Sequence, residues 1–358
     1  MLYEQEADQR VHCFLCAHEC IIRSDGRGTC QVRENRDGTL HSLVYGDVIA
    51  EHVDPIEKKP LFHFAPGTLA YSVATPGCNF RCAWCQNYDI SQMPRDQQVM
   101  LGIAGNRPET PPEAVVKAAQ AHRCHSIAYT YTEPTIFFEY TYDIARLAHD
   151  YGLTNVYVTN GYMTAAMLQL MHPHLDAANV DLKAFRDKTY RRYVGARLQP
   201  VLDSLKLMKQ LGIWVEVTTL LIPDVNDSNE ELRDAAQFIV GDLGPETPWH
   251  LSRFYPTYKM TDVSPTPEST LTRALDIGKQ AGLHYVYAGN SQQNIDTQCH
   301  VCGITLIRRS GHRVVENLIA PGLGEGQSAC PECDTPVAGI DMYEDEADQR
   351  EGKDRLWQ

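Results

Sequence analysis

Leu69-Ala-Tyr-Ser-Val-Ala74, Thr75-Pro-Gly77 and then Cys78-Asn-Phe-Arg-Cys82-Ala-Trp-Cys85 form one continuous stretch of the chain. The apolar run has the length and flanks of a buried strand. Thr-Pro-Gly reads as the turn that ends it. Three cysteines follow at Cys-x3-Cys-x2-Cys spacing. Structural zinc is closed by four ligands, and disulfides use cysteines in pairs. Three thiolates on one short loop suit a cubane iron–sulfur cluster with one iron left open. Such an iron has room for a small chelating molecule. The competing reading is a zinc knuckle whose fourth ligand lies elsewhere.

Outward from this loop, residues 66–292 alternate apolar runs with helix-like stretches, the rhythm of a parallel sheet. Strands are expected at Leu69–Ala74, Ser126–Thr130, Asn155–Thr159, Ala178–Leu182, Trp214–Leu221, His250–Phe254 and Tyr285–Ala288. Helices are expected at Pro112–His122, Thr135–Tyr151, Ala165–His172, Val201–Leu211, Asn229–Val240 and Thr270–Ala281. Asp227-Ser-Asn-Glu230 has the composition of a helix start. The fold class is therefore α/β, a partial (β/α)6 TIM-like barrel. Such folds carry their chemistry at the carboxyl ends of the strands, where the cysteine loop falls.

Two further cysteine blocks flank this one. Residues 1–65 carry Cys13, Cys16, Cys20 and Cys30. Thiolates suit zinc and iron–sulfur clusters alike, so zinc is the first reading and an auxiliary [4Fe–4S] cluster the second. Residues 293–340 carry Cys299-x2-Cys302 and Cys330-x2-Cys333 around a hairpin, the pattern of a zinc ribbon. Arg308, Arg309 and His312 are expected at a solvated hairpin tip. Cys124 stands alone and reads as a buried core thiol. Residues 341–358 form a charged, solvated tail.

Of 358 residues, 43% are hydrophobic, enough for a sizeable core, and the formal net charge is −14. That balance argues against a general nucleic-acid or anionic-membrane surface. No run is apolar enough to span a membrane, and Met1-Leu-Tyr-Glu-Gln-Glu6 does not read as a signal peptide. Twelve cysteines, mostly in tight groups, are expected to be reduced and metal-bound, which fits a cytoplasm low in oxygen.

Four more segments fall where strands should end: Thr130-Tyr-Thr-Glu133-Pro134-Thr135, Thr159-Asn160-Gly161-Tyr162, Asn179-Val-Asp181-Leu-Lys183 and His250-Leu-Ser-Arg253-Phe-Tyr255-Pro256. Taken singly they have plain readings: a helix cap at Glu133, a turn at Asn160-Gly161, a solvated pair at Asp181 and Lys183, a structural histidine at His250. Their order at successive strand ends is what gives them weight.

With the cysteine loop and Trp84-Cys-Gln-Asn87, these segments resemble the radical S-adenosylmethionine (SAM) superfamily. Glu133-Pro134 is similar to the Glu-Pro of its Gly-Gly-Glu-Pro segment, with Tyr131-Thr132 in place of the glycines. Val158–Gly161 and Asp181–Lys183 resemble segments of glycyl-radical-enzyme activases. From residue 13 to 340 the combination most resembles the radical SAM member of the AmmeMemoRadiSam system. That resemblance implies a [4Fe–4S] cluster on Cys78, Cys82 and Cys85, with SAM on its open iron. It implies a SAM site that includes Glu133 for the ammonium, Asn160 for the ribose or carboxylate and Lys183 for a carboxylate. Asp181, Lys183, His250 and Arg253 become substrate-side candidates. The activity implied is reductive cleavage of SAM to a 5′-deoxyadenosyl radical. A flavodoxin or ferredoxin is the expected electron donor, and Memo-like and AMMECR-type proteins are candidate partners. Two other readings stay open: a glycyl-radical-enzyme activase, and a zinc-dependent nucleic-acid or protein-binding module without redox chemistry.

Overall fold

A computed structural model of the chain describes residues 1–96, 108–324 and 326–343. The tail expected from residue 341 thus lies, from residue 344 on, outside the described residues. At the centre is a sheet of eight strands: β1 Ala50–Pro55, β2 Leu69–Ala74, β3 Ser126–Tyr129, β4 Thr154–Thr159, β5 Ala177–Asp181, β6 Trp214–Leu221, β7 Trp249–Arg253 and β8 Val286–Gly289. Their order in space follows their order in the chain. From β2 to β8 the strands are parallel. All seven expected strands are present, displaced by at most one residue. The helices between them are α1 Pro112–Ala121, α2 Phe138–Asp150, α3 Ala165–Met171, α4 Gln199–Gln210, α5 Asn229–Phe238 and α6 Glu268–Gln280. Ser228 caps α5 by accepting the Glu231 amide at 3.2 Å. Because every crossover steps one strand along, all parallel strands end on the same edge.

The eighth strand, β1, pairs antiparallel with β2, Ala50 opposite Ala74 and Pro55 opposite Leu69. It lies on the amino-terminal side of residue 65 yet belongs to the central sheet. Its sequence, Ala-Glu-His-Val-Asp-Pro, has no apolar run, and a proline is tolerated at an edge.

The two faces of the sheet differ. Tyr71, Val73, Ile127 and Tyr129 point to the helices and pack with Val115, Val116 and Ile144. Residues of the opposite parity, Ala70, Ala128, Val156 and Ala177, face the other way near the strands' amino ends. There they form a separate cluster with Ile56, Leu61, Phe64 and Ala65. The segment after β1 therefore plugs that end of the sheet. Further along the strands the same face turns polar, with Ser72, Asn179, Asp181, Glu216, Thr218 and His250.

In the amino-terminal block, Tyr3–Gln5, Val11–Cys13 and Cys20–Ile22 form a three-stranded antiparallel sheet. Buried Arg33 ties the block to the first turn of α2 through two bonds to Glu139, at 2.6 and 2.7 Å. In the carboxyl-terminal block, β9 Thr305–Ser310 and β10 Arg313–Asn317 make the expected hairpin. Of the solvated patch expected from sequence, Arg308 and His312 are exposed and Arg309 is not. Arg308 is exposed and pairs with Glu316, but the Arg309 side chain is fully buried. Arg309 donates to the Phe62 carbonyl and to Thr297 and lies over the Phe62 ring. The cation is bound to the plug rather than to water. Cys124 is buried, as a core thiol should be. Among the described residues no helix is long and apolar enough to cross a membrane.

Candidate functional site

The polar half of the concave face lines a cavity of about 630 Å³. Cys78, Cys82 and Cys85 enter it from the loop after β2. That loop is pinned on both sides: Arg81 and Ala83 amides donate to the carbonyls of Val194 and Tyr193, and Phe80 and Trp84 are buried. Gly77, at φ +104°, makes the turn, and a Cβ there would lie 2.6 Å from Val32 Cγ1, so only glycine fits. The Phe80 amide donates to Cys78 Sγ at 3.3 Å, and Ser91 Oγ lies 3.1 Å from Cys85 Sγ.

Burial pushes the Cys82 thiol up to about 12, against the pull of Lys183, and raises Cys78 as well. Such sulfurs become thiolates when a metal binds them. Among the described residues, only Cys299, Cys302, Cys330 and Cys333 bring three or more ligand atoms within 4.8 Å of one another. Sulfurs at about 2.3 Å from one tetrahedral ion lie about 3.8 Å apart. The three cavity cysteines are not gathered in this way. Three thiols on one loop, lining one cavity, are a donor set that fits a [4Fe–4S] cluster.

Glu133 is buried at the end of β3. Its Oε1 accepts from the Thr135 amide, Thr135 Oγ1 and Thr159 Oγ1 at 3.1, 2.6 and 2.7 Å. Its Oε2 accepts the Asn160 amide at 2.8 Å and, among the described residues, no other hydrogen bond. Burial raises its pKa against these donors, so a cation beside it would be favoured. Glu133 is also the cap of the single turn Pro134–Phe137. The plain and the functional readings therefore hold together. Asn160 is similarly committed: its Nδ2 donates to Asn79 Oδ1 at 2.7 Å and reaches Cys78 Sγ at 3.8 Å. It braces the cysteine loop. Lys183 Nζ lies 2.8 Å from Asp181 Oδ2. Burial would depress this lysine, but Asp181 and Cys82 outweigh it and hold the ammonium charged.

The structure brings Glu133, Asn160, Asp181, Lys183 and His250 to the same cavity as the three cysteines. His250 is nevertheless spoken for, with Nε2 at 2.6 Å from Glu216 Oε2. Arg253 does not line this cavity. Its guanidinium is held by the Thr266 carbonyl and Glu268 in an outer groove with Tyr255.

Several residues of the cavity wall and of the layer behind it escaped the sequence reading. Glu216 is fully buried and also accepts the Phe62, His63 and Trp214 indole N–H groups, at 3.0, 2.7 and 3.1 Å. A glutamate inside the apolar strand Trp214–Leu221 was the signal for it. Lys59 is buried 2.6 Å from Asp54, and Tyr131 donates to the same carboxylate. Gly311 and His312, at the tip between β9 and β10, close one wall. Nothing local in the sequence brings these distant segments together.

The four carboxyl-terminal cysteines form a compact cage, with Cys299–Cys333 and Cys302–Cys330 sulfurs both 3.6 Å apart. This cage could hold a metal ion outside the cavity, and it is walled by its own small core.

Comparison with known proteins agrees with the geometry. The model of the Radical SAM superfamily matches residues 72–239. That span contains the cysteine loop and the ends of β3, β4 and β5. The chain is 45% identical over 311 residues to the uncharacterized protein MJ0808 of Methanocaldococcus jannaschii, covering 86% of this chain and 90% of that one. It is 24% identical over 168 residues to the pyruvate formate-lyase-activating enzyme of Clostridium pasteurianum, 46% of this chain and 66% of that one. It is 27% identical over 146 residues to the 7-carboxy-7-deazaguanine synthase of Thermococcus kodakarensis, 38% of this chain and 57% of that one. The last two bear different activities, so what they share with this chain is the superfamily. A binding module without redox chemistry is thereby set aside: this chain is a radical-chemistry enzyme and belongs to the radical SAM superfamily.

Proposed function

We propose that the chain reductively cleaves SAM at a [4Fe–4S] cluster held by Cys78, Cys82 and Cys85, and uses the radical to abstract hydrogen from a substrate in the same cavity. The observation that carries this is the convergence of three thiols, Glu133, Asn160 and the Asp181–Lys183 pair on one cavity. When bound, the cluster supplies one electron and SAM supplies a 5′-deoxyadenosyl radical.

The chain's own residues do the rest. Glu133 Oε2 receives the SAM ammonium, and Lys183 a carboxylate. Asn160 keeps Asn79 and the cysteine loop in register. Phe80, Trp84, the Lys59–Phe62 floor and the Gly311–His312 tip exclude water from the reacting volume. Asp181, Thr218 and Ser252 present polar atoms on the substrate side, and Glu216 fixes His250 in one orientation. In this reading the sheet is a partial (β/α)6 barrel, and the four carboxyl-terminal thiolates hold structural zinc as a ribbon. The chain then works in the cytoplasm with a flavodoxin or ferredoxin as donor. It stands with the AmmeMemoRadiSam enzymes, with Memo-like and AMMECR-type proteins as partners.

Anaerobic incubation with SAM and dithionite tests the reading: 5′-deoxyadenosine and methionine form in the wild type and not in Cys82→Ala. No product from protein with a full complement of cluster iron would contradict it. The similarity to a pyruvate formate-lyase-activating enzyme favours a second reading, in which the substrate is a glycyl residue of a partner protein. An EPR doublet on that partner is its signature.

A further inference from the structure

Among the described residues, neither the amino-terminal nor the catalytic cysteines gather three sulfurs within 4.8 Å of one another, as the carboxyl-terminal cage does. Cys13 and Cys20 sit opposite each other on paired strands. Cys16 and Cys30 face them closely enough for their charges to interact. Yet among the described residues no three of these sulfurs come within 4.8 Å of one another, whereas the carboxyl-terminal four do. One chain thus supplies its own standards: a compact cage matching a single tetrahedral ion, and an open set in the superfamily's cluster loop.

A second observation points the same way. Arg33 is 2% exposed, its charge acts on Cys13 and Cys30, and its Nε–H has no hydrogen-bond partner. The thiols beside it already accept backbone N–H groups, Cys13 from Leu15, Cys30 from Val32 and Cys20 from Thr29. A bare zinc ion offers this N–H no acceptor. The inorganic sulfides of a cluster do, and such bonds are among the levers that set cluster potentials.

The block also touches the catalytic loop directly. Arg95 Nη2 donates both to the Thr29 carbonyl, at 2.7 Å, and to the Cys78 carbonyl, at 3.3 Å. His18 Nε2 lies 2.9 Å from the Asn79 carbonyl, and the Cys30 carbonyl is 3.5 Å from where a Cβ of Gly77 would be. The peptides next to one cysteine of each set are therefore in contact.

We propose that Cys13, Cys16, Cys20 and Cys30 hold an auxiliary [4Fe–4S] cluster, and that this cluster passes single electrons to the one on Cys78, Cys82 and Cys85. A low-potential one-electron donor, such as a flavodoxin hydroquinone, reduces the auxiliary cluster. The auxiliary cluster is reoxidised as the catalytic cluster takes the same electron, with no proton moved. The relay rests on the function proposed above; the auxiliary cluster does not.

The test is the full chain, reconstituted anaerobically with iron and sulfide, as wild type and as Cys78→Ala/Cys82→Ala/Cys85→Ala. The wild type is expected to hold about eight irons and the triple variant about four, with an EPR signal indifferent to SAM. A triple variant free of iron, with zinc at both outer sites, overturns the proposal. Should the variant fail to fold, about four irons and two zincs in the wild type overturn it equally. If wild type and triple variant both hold about four irons and neither responds to SAM, the auxiliary cluster stands, and the catalytic reading and relay fall. Freeze-quench EPR of the wild type mixed with reduced flavodoxin tests the relay. The SAM-insensitive signal should rise before the SAM-sensitive one, and the reverse order refutes it.

Discussion

Cys299, Cys302, Cys330 and Cys333 gather their sulfurs within 4.8 Å of one another, and none of them lines the cavity. Cys78, Cys82 and Cys85 sit on a loop that opens into a polar cavity and do not gather their sulfurs in this way. The first set is compact enough to close around one ion, which would hold together a block too small for a large core of its own. The second leaves room beside its metal and surrounds that room with a carboxylate, an amide and an ammonium. The same element serves structure in one place and chemistry in the other, and the difference lies in spacing and surroundings rather than in the ligand atom.

Breaking each site should therefore do different things. Cys82→Ala is expected to abolish 5′-deoxyadenosine formation while leaving zinc content and resistance to proteolysis at wild-type levels; product analysis, zinc assay and limited trypsin digestion check this. Cys330→Ser should act in the opposite sense. Zinc is lost, residues 293–343 become protease-sensitive, and cluster iron is retained. Because Arg309 and the Ala338 carbonyl hold Phe62 and His63, the cavity floor loosens too. Activity should fall by about tenfold, the equivalent of roughly 1.4 kcal/mol in the barrier.

Glu133→Gln sharpens the comparison within the cavity. It keeps the shape but removes the charge, so the KM for SAM should rise by about tenfold or more, with iron content unchanged, as expected for a lost charge-assisted bond. Steady-state kinetics at fixed iron loading would show it, and an unchanged KM would remove Glu133 from the SAM site.

The smallest effect concerns the joint between the two regions. His63 is fully buried between Tyr287 and the Ala338 carbonyl, with its Nε2 2.6 Å from Tyr287 Oη. Burial lowers its pKa from 6.5 to about 4, so the folded state favours the neutral ring. The unfolded chain binds the extra proton first. Stability is therefore full above about pH 6.5 and falls as the pH drops toward 4, by on the order of 3 kcal/mol. Urea midpoints across that range should decline steeply in the wild type and less so in His63→Gln.

How much of this was legible in the sequence follows from how local each signal is. The parallel strands were readable because each buried strand is a short apolar run bounded by turns. The edge strand β1 was not, since Glu51, His52 and Asp54 interrupt any such run and only pairing with β2 makes it a strand. Glu133 and Asn160 were readable as positions because they follow strand ends. Their commitment to Thr135, Thr159 and Asn79 was not, because three separate loops meet there. Arg309 was misjudged for the same reason: beside Arg308 it looks solvated, and only the distant Phe62 and Glu57 show that it is not. Cysteine spacing along the chain identified metal sites but not metals. Only the structure shows that the carboxyl-terminal four gather their sulfurs within 4.8 Å of one another.

The central claim is that the cavity cysteines hold a cluster whose open iron binds SAM. Low-temperature EPR of the anaerobically reduced protein, with and without SAM, tests it most directly. The account predicts a cluster signal whose g-values shift on adding SAM in the wild type, and no SAM-dependent shift in Cys82→Ala. A wild-type spectrum that SAM leaves unchanged at full iron loading would contradict it.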